Sequence, residues 1–311
     1  MIRNFDELLN TGSFREPVTL VLAGAEEPKM LKAVGKAADK GYIRPILVGE
    51  PEKIRGYLEP ILKEHSFEPQ IVSANGEAEI CEKACTAALS TDKTVLMKGL
   101  VNTSSLLRSI LHRKQEFGVT GLISHISLLE LPYYDRVLGL SDTSINIRPN
   151  LEEKAQILKS GIDFFHCLGY ECPKGAVLAS VETVNPKMPD TVDAAALKEI
   201  SETGEFGNCL VEGPISLDLA IDPAAAAVKK YQGKVRGDAD FLLVPDITAG
   251  NLLGKSFNLT PGSRFAGFIL GTRIPIGLTS RASSPENKFY TMAIGALLAE
   301  GGEPWKKNTG F

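Results

Sequence analysis

A hydroxyl, an arginine and a helix start come together in Leu278-Thr-Ser-Arg-Ala-Ser-Ser284, where Ser280 and Arg281 follow the apolar run Ile274–Leu278 and precede a helical pattern. Such a group can hold a planar or tetrahedral oxyanion, because the guanidinium fork reaches two oxygens while hydroxyl and free N–H groups reach the others. The same residues also make an ordinary capped helix with Arg281 paired to a carboxylate. A second segment, Lys98-Gly-Leu-Val-Asn-Thr-Ser-Ser-Leu-Leu-Arg108, sets Thr103, Ser104 and Ser105 at a helix start with Arg108 one turn on. It reads either as another anion site or as an N-cap with a solvated arginine.

Other chemistries find less support. Ala249-Gly-Asn-Leu-Leu-Gly-Lys255-Ser256 resembles a relaxed phosphate loop, but Pro245-Asp-Ile-Thr separates it from the preceding strand. No apolar strand ending in a magnesium-binding Asp follows it. Cys81 and Cys85 stand four apart on a helical pattern and His166 adjoins Cys167, without a second pair at zinc-finger spacing. Neither a Gly-x-Ser-x-Gly elbow nor a Gly-x-Gly-x-x-Gly fingerprint occurs.

The elements that must position these residues alternate. Short β-rich apolar runs at Val18–Ala25, Arg44–Gly49, Gln70–Ala74, Val95–Gly99, Leu122–Leu131 and Arg136–Asp142 are separated by helical patterns. The first helix begins at Pro28 and closes at Gly41; others lie near 51–65, 77–89 and 103–115. Asn150, ahead of an acidic first turn, is an N-cap candidate for a long amphipathic helix ending near Gly169. Further strands are predicted at Ala176–Ser180, Cys209–Glu212, Phe241–Val244 and Phe265–Leu270, with helices near 191–203, 223–231 and 284–300. This is α/β, parallel-sheet architecture, in which ligands sit beyond the carboxyl ends of the strands.

Composition agrees. The chain has 311 residues, 43% of them hydrophobic, a length that asks for about two domains. Its 34 Lys plus Arg against 38 Asp plus Glu give a net charge of −4, which argues against whole-surface binding of nucleic acid and leaves room for a concentrated basic pocket. Five cysteines, an odd number in a large chain, fit a reducing compartment. The acidic start, and the lack of any apolar stretch near the ~18 residues of a membrane span, point to a cytoplasmic protein without a membrane partner.

Taken in order, Lys98–Arg108, Gly237-Asp-Ala-Asp-Phe-Leu-Leu-Val-Pro-Asp-Ile-Thr-Ala-Gly-Asn251 and Pro275-Ile-Gly-Leu-Thr-Ser-Arg281 resemble the phosphate acetyltransferase and butyryltransferase family. These enzymes exchange an acyl group between coenzyme A and inorganic phosphate. The resemblance covers nearly the whole chain. It implies a two-lobe parallel-sheet fold like that of isocitrate and isopropylmalate dehydrogenases, with the substrates in a cleft between the lobes. The first lobe would hold 1–135 plus 268–311 and the second 136–267. It implies a homodimer, coenzyme A as a substrate, no permanently bound cofactor and no metal. The family's Ser-Arg pair falls on Ser280 and Arg281; Thr103, Ser104, Arg108 and Asn251 would bind phosphate or coenzyme A. Acetyl-specific members carry an Asp after that pair, assigned as the base for the coenzyme thiol, whereas this chain reads Ser284-Pro-Glu-Asn-Lys288. Glu286 becomes the expected base, and the departure fits the butyryl branch better. In the mechanism that follows, Arg281 holds phosphoryl oxygens, Ser280 meets the oxyanion, and butyryl or branched short acyl groups are the expected cargo.

The alternatives are a phosphate acetyltransferase and a non-catalytic acyl-coenzyme A-binding protein. A metal-dependent decarboxylating dehydrogenase would need clustered acids, and the alternation of Asp238 and Asp240 stops at Leu242.

Overall fold

The computed structural model describes residues 2–12 and 14–301; Met1, Ser13 and the 302–311 portion of the expected first lobe lie outside the described residues. In chain order the elements are α1 (Phe5–Asn10), β1 (Val18–Ala23), α2 (Pro28–Asp39), β2 (Ile43–Gly49), α3 (Pro51–Ile61), β3 (Gln70–Ser73), α4 (Glu77–Leu89), β4 (Thr94–Lys98) and α5 (Thr103–His112). Then follow β5 (Ser124–Glu130), β6 (Leu138–Ser141), α6 (Leu151–Cys167), β7 (Lys174–Leu178), α7 (Pro189–Glu202), β8 (Leu210–Ile215), α8 (Leu217–Ile221), α9 (Pro223–Val228), β9 (Phe241–Leu243) and α10 (Ile247–Leu259). Last come β10 (Arg264–Leu270), β11 (Ile276–Gly277) and α11 (Pro285–Gly301).

Two compact units emerge from the contacts, one of Phe5–Thr120 with Phe265 onward, the other of Gly121–Arg264 with the residues up to Asn4. Residues 121–135, expected with the first lobe, group with the second unit because β5 pairs antiparallel with β6 through Ser127↔Leu140 and Leu129↔Leu138.

In the unit built on Phe5–Thr120 the strand order is β3-β2-β1-β4-β11-β10. β1 pairs parallel with both β2 and β4, and β11 runs parallel to β4 but antiparallel to β10. All six residues of β1 are buried, as a parallel strand covered on both faces requires. α11 is apolar around most of its circumference, so it is enclosed rather than amphipathic, and it packs on α2, β1 and β4. The chain steps from β1 outward to β2 and β3, then returns to β4 on the other side of β1. Between β1 and β4 the winding therefore reverses, and in such sheets ligands bind there, outside the carboxyl ends. The backbones meet at this point: Leu100 N donates to Gly24 O at 2.7 Å, and a Cβ on Gly99 would lie 2.1 Å from that same oxygen. Gly24 itself has φ +80°, a conformation that excludes most side chains.

The other unit orders its strands β5-β6-β9-β7-β8, parallel except for β5. Asn150 caps α6 in a reciprocal box, accepting from Glu153 N at 2.9 Å while Glu153 Oε2 accepts from Asn150 N at 2.8 Å. The phosphate-loop-like residues 249–256 lie inside α10, whose N-cap Asp246 accepts from Ala249 N at 2.9 Å. Cys81 and Cys85 are buried in α4, and burial pushes their thiols up to about 11 and about 12, the behaviour of packing residues.

Candidate active site

Three loops leave the same edge of the first unit's sheet, after the mutually parallel strands β1, β4 and β11. They bring Glu27, Lys98, Asn102 and the Ser280–Arg281 pair into one network. Arg281 Nη2 donates to Asn102 Oδ1 at 3.0 Å. Asn102 Nδ2 in turn donates to Glu77 Oε2 at 2.9 Å and Oε1 at 3.1 Å, which fixes the orientation of the amide. Ser105 Oγ also donates to Glu77. These bonds, and the charge of Arg281, hold the Glu77 carboxyl below its ordinary range.

Ser280 is exposed and its Oγ accepts from Ala282 N at 3.3 Å. Its carbonyl accepts from Ser283 N at 3.1 Å and from Lys288 Nζ at 3.3 Å. Lys288, on α11, is 1% exposed and pairs with Glu27 Oε1 at 3.2 Å. Lys98 is 5% exposed; its ammonium donates to the carbonyls of Gly99 and Val101, each at 3.1 Å. Burial lowers the Lys98 pKa, and the positive charges of Arg281 and Lys288 lower it further. Burial likewise lowers Lys288, against the opposing pull of Glu27. Three cations, Lys98, Arg281 and Lys288, thus face two carboxylates, Glu27 and Glu77. The remaining positive charge suits an anion. The hydroxyls of Thr279 and Ser283, on either side of the Ser-Arg pair, are buried with no hydrogen-bond partner among the described residues.

Of the residues named from sequence, Ser280 and Arg281 belong to this network, and Thr103 and Ser104 form the first turn of α5 beside Asn102. Arg108 is exposed farther along that helix. Glu286 is exposed on the first turn of α11, next to buried Asn287 and Lys288. Asn251 lies in the other unit, where its Nδ2 donates to Thr143 O at 3.3 Å. Sequence reasoning missed Glu27, Glu77, Asn102, Lys98 and Lys288 as site members. Lys98 ends an apolar strand and Lys288 interrupts an apolar helix, and a lysine in either setting signals a buried charge that needs a partner.

A parallel α/β unit with an electropositive network at its winding reversal defines a binder of anionic small molecules. The comparisons make it specific. Residues 61–296 match the family described as "Phosphate acetyl/butaryl transferase". A probable phosphate butyryltransferase of Bacillus subtilis is 40% identical over 94% of this chain and 97% of its own length. A phosphate butyryltransferase of Clostridium acetobutylicum is 36% identical over 96% and 99%. Among solved structures, a branched-chain phosphotransacylase from Enterococcus faecalis superposes with a TM-score of 0.76 at 30% identity, covering 90% of this chain and 99% of that one. The chain belongs to the phosphate acetyl/butyryl transferase family and is a transferase.

Proposed function

We propose that this transferase exchanges a short acyl group, butyryl or a branched equivalent, between coenzyme A and inorganic phosphate: acyl-coenzyme A plus phosphate gives acyl phosphate plus coenzyme A. The observation that carries the reading is the excess positive charge around Ser280 and Arg281, at a strand edge suited to an anion. The butyryl preference rests on likeness to the butyryltransferases. One methylene is worth only ~1–3 kcal/mol in a hydrophobic pocket, so selectivity among acyl groups is graded.

In this reading Arg281 holds two phosphoryl oxygens, and Ser280 Oγ donates to the oxyanion of the tetrahedral intermediate. The N–H groups at Thr103 and Ser104, with Arg108, hold a second phosphate or the coenzyme's pyrophosphate. Asn251 adds a polar contact to the substrates. In the direction that makes thioester, the attacking thiol has an ordinary pKa near ~8.5, and Glu286 accepts its proton. The protein works in the cytoplasm as a homodimer. Among its described residues no helix is long and apolar enough to cross a membrane.

The test is phosphate-dependent thiol release from butyryl-, isobutyryl- and acetyl-coenzyme A, with and without EDTA. Fastest release from the four-carbon donors, indifferent to EDTA, is expected. Fastest release from the acetyl donor would move the chain to the acetyl branch, and binding of acyl-coenzyme A without release would favour a non-catalytic binder.

A further inference from the structure

The most enclosed cation of the network touches no expected substrate group, and stability does not explain it. Lys288 sits on α11 among Phe289, Tyr290, Met292 and Ile294, where an apolar side chain would avoid the several kcal/mol needed to desolvate an ammonium. Replacing buried ion pairs by apolar residues is often neutral or stabilising. What the lysine does bind is informative: the carboxylate of Glu27, from the loop after β1, and the carbonyl of Ser280, from the loop after β11. That carbonyl also closes a turn with Ser283 N, and the side chains of Thr279 and Ser283 are turned inward while Ser280 and Arg281 stay exposed. The base of the loop is thereby drawn into the protein and the two reactive residues are presented outward.

We propose that Lys288 is a positioning residue: with Glu27 as its counter-ion it anchors the Ser280 carbonyl and so aims the Ser280 hydroxyl and the Arg281 guanidinium. The inference rests on the acyl-transfer reading above. Lys288 reaches no reacting atom itself. Its work is geometric, and misplacement by about 1 Å at a reacting centre costs on the order of 10²-fold in rate.

The test compares wild type with Glu27→Gln/Lys288→Met, which removes both charges of the buried bridge together, and with Lys288→Arg. Each is assayed for phosphate-dependent thiol release from butyryl-coenzyme A and for thermal unfolding. In the folded double variant kcat should fall about 10²-fold while KM for butyryl-coenzyme A moves less than about threefold. Lys288→Arg should recover part of kcat by restoring a charged donor. A folded double variant with kcat within about threefold of wild type would overturn the proposal. Should that pair not fold, Glu27→Gln/Lys288→Gln carries the same expectation and the same overturning result. Wild type that releases no thiol from any donor would refute the acyl-transfer reading instead, so the two failures are told apart by the wild-type arm.

Discussion

Asp142 and Lys288 are both almost fully buried, at 2% and 1% exposure, yet their surroundings serve them differently. The Asp142 carboxylate accepts from the backbone N–H groups of His125, Ser144, Ile145 and Asn146 and from Asn146 Nδ2 at 2.6 Å. At the opposite end of β6 in the same unit Arg136 pairs with Asp240 at 3.1 Å, and Asp240 also accepts from Lys174 N at 2.9 Å. His125, on Thr143 Oγ1 at 2.7 Å, is pushed down to about 4 by burial and stays neutral at pH 7. Each buried carboxylate there is met by hydrogen-bond donors of its own unit, although Arg136 Nε is left without a hydrogen bond. Around Lys288 charge is left over, since Lys98, Lys288 and Arg281 outnumber Glu27 and Glu77. Buried charge in the one set is met by donors and acceptors of its own unit, whereas the proposed anion site is left with a positive surplus.

The largest effect should come from breaking the first set. Asp240→Ala removes the buried carboxylate that faces Arg136, leaving its guanidinium the Asp238 carbonyl at 2.9 Å and Asp135 at 3.6 Å, and is expected to cost about 3 kcal/mol of stability. Denaturant unfolding measures it. A loss below about 1 kcal/mol would mean that the Asp238 carbonyl and Asp135 suffice for Arg136 and that Asp240 adds little.

The complementary break is Arg281→Ala. Arg281 is exposed, so unfolding should barely change, while kcat/KM for phosphate-dependent thioester cleavage should fall about 10²–10³-fold. A loss under tenfold would remove Arg281 from the chemistry and leave it as a partner of Asn102.

How much of this was legible beforehand depended on whether the needed signal was local. Ser280 and Arg281 stood out because a hydroxyl, an arginine and a helix start adjoin in sequence, and Asn150 because a cap and its Glu153 are three residues apart. The strands of the first unit read clearly as apolar runs. Lys288 stands out in an apolar helix only as a charge that needs a partner; that the partner is Glu27 was hidden, because Glu27 lies far off in sequence and only the fold brings them together. β11, with two residues, is too short for periodicity to mark. α10 hides behind its likeness to a phosphate loop, since two glycines and a preceding Pro245 mask a helix that Asp246 caps. The antiparallel β5–β6 and β10–β11 pairs also escaped a reading that treated every strand as parallel.

A smaller effect sharpens the surplus side. Burial and the charges of Arg281 and Lys288 lower the Lys98 pKa, so it deprotonates below the usual lysine value near ~10.4. An anion held against protonated Lys98 loses affinity as pH rises through that lowered value, and KM for phosphate should climb about tenfold, roughly 1.4 kcal/mol. Stability has the opposite sign: a lysine whose pKa is depressed by folding opposes folding at neutral pH, and stability rises as pH climbs from the folded toward the unfolded value. Assaying thioester plus phosphate avoids thiol ionisation. Lys98→Met should displace this limb; a limb unmoved by the substitution would detach Lys98 from the anion.

The smallest effect tests whether the two regions are independent. Asn150→Ala removes the cap of α6 and should cost about 1 kcal/mol, read by denaturant unfolding, with activity per folded molecule unchanged. Combined with Arg281→Ala, its effect on stability and the effect of Arg281→Ala on rate should simply add, because sites without shared partners usually do so within about 0.5 kcal/mol. A double variant whose rate falls below that expectation would mean that the capped helix supports the anion site, and the contrast between self-matched and surplus charge would then describe two parts of one coupled structure.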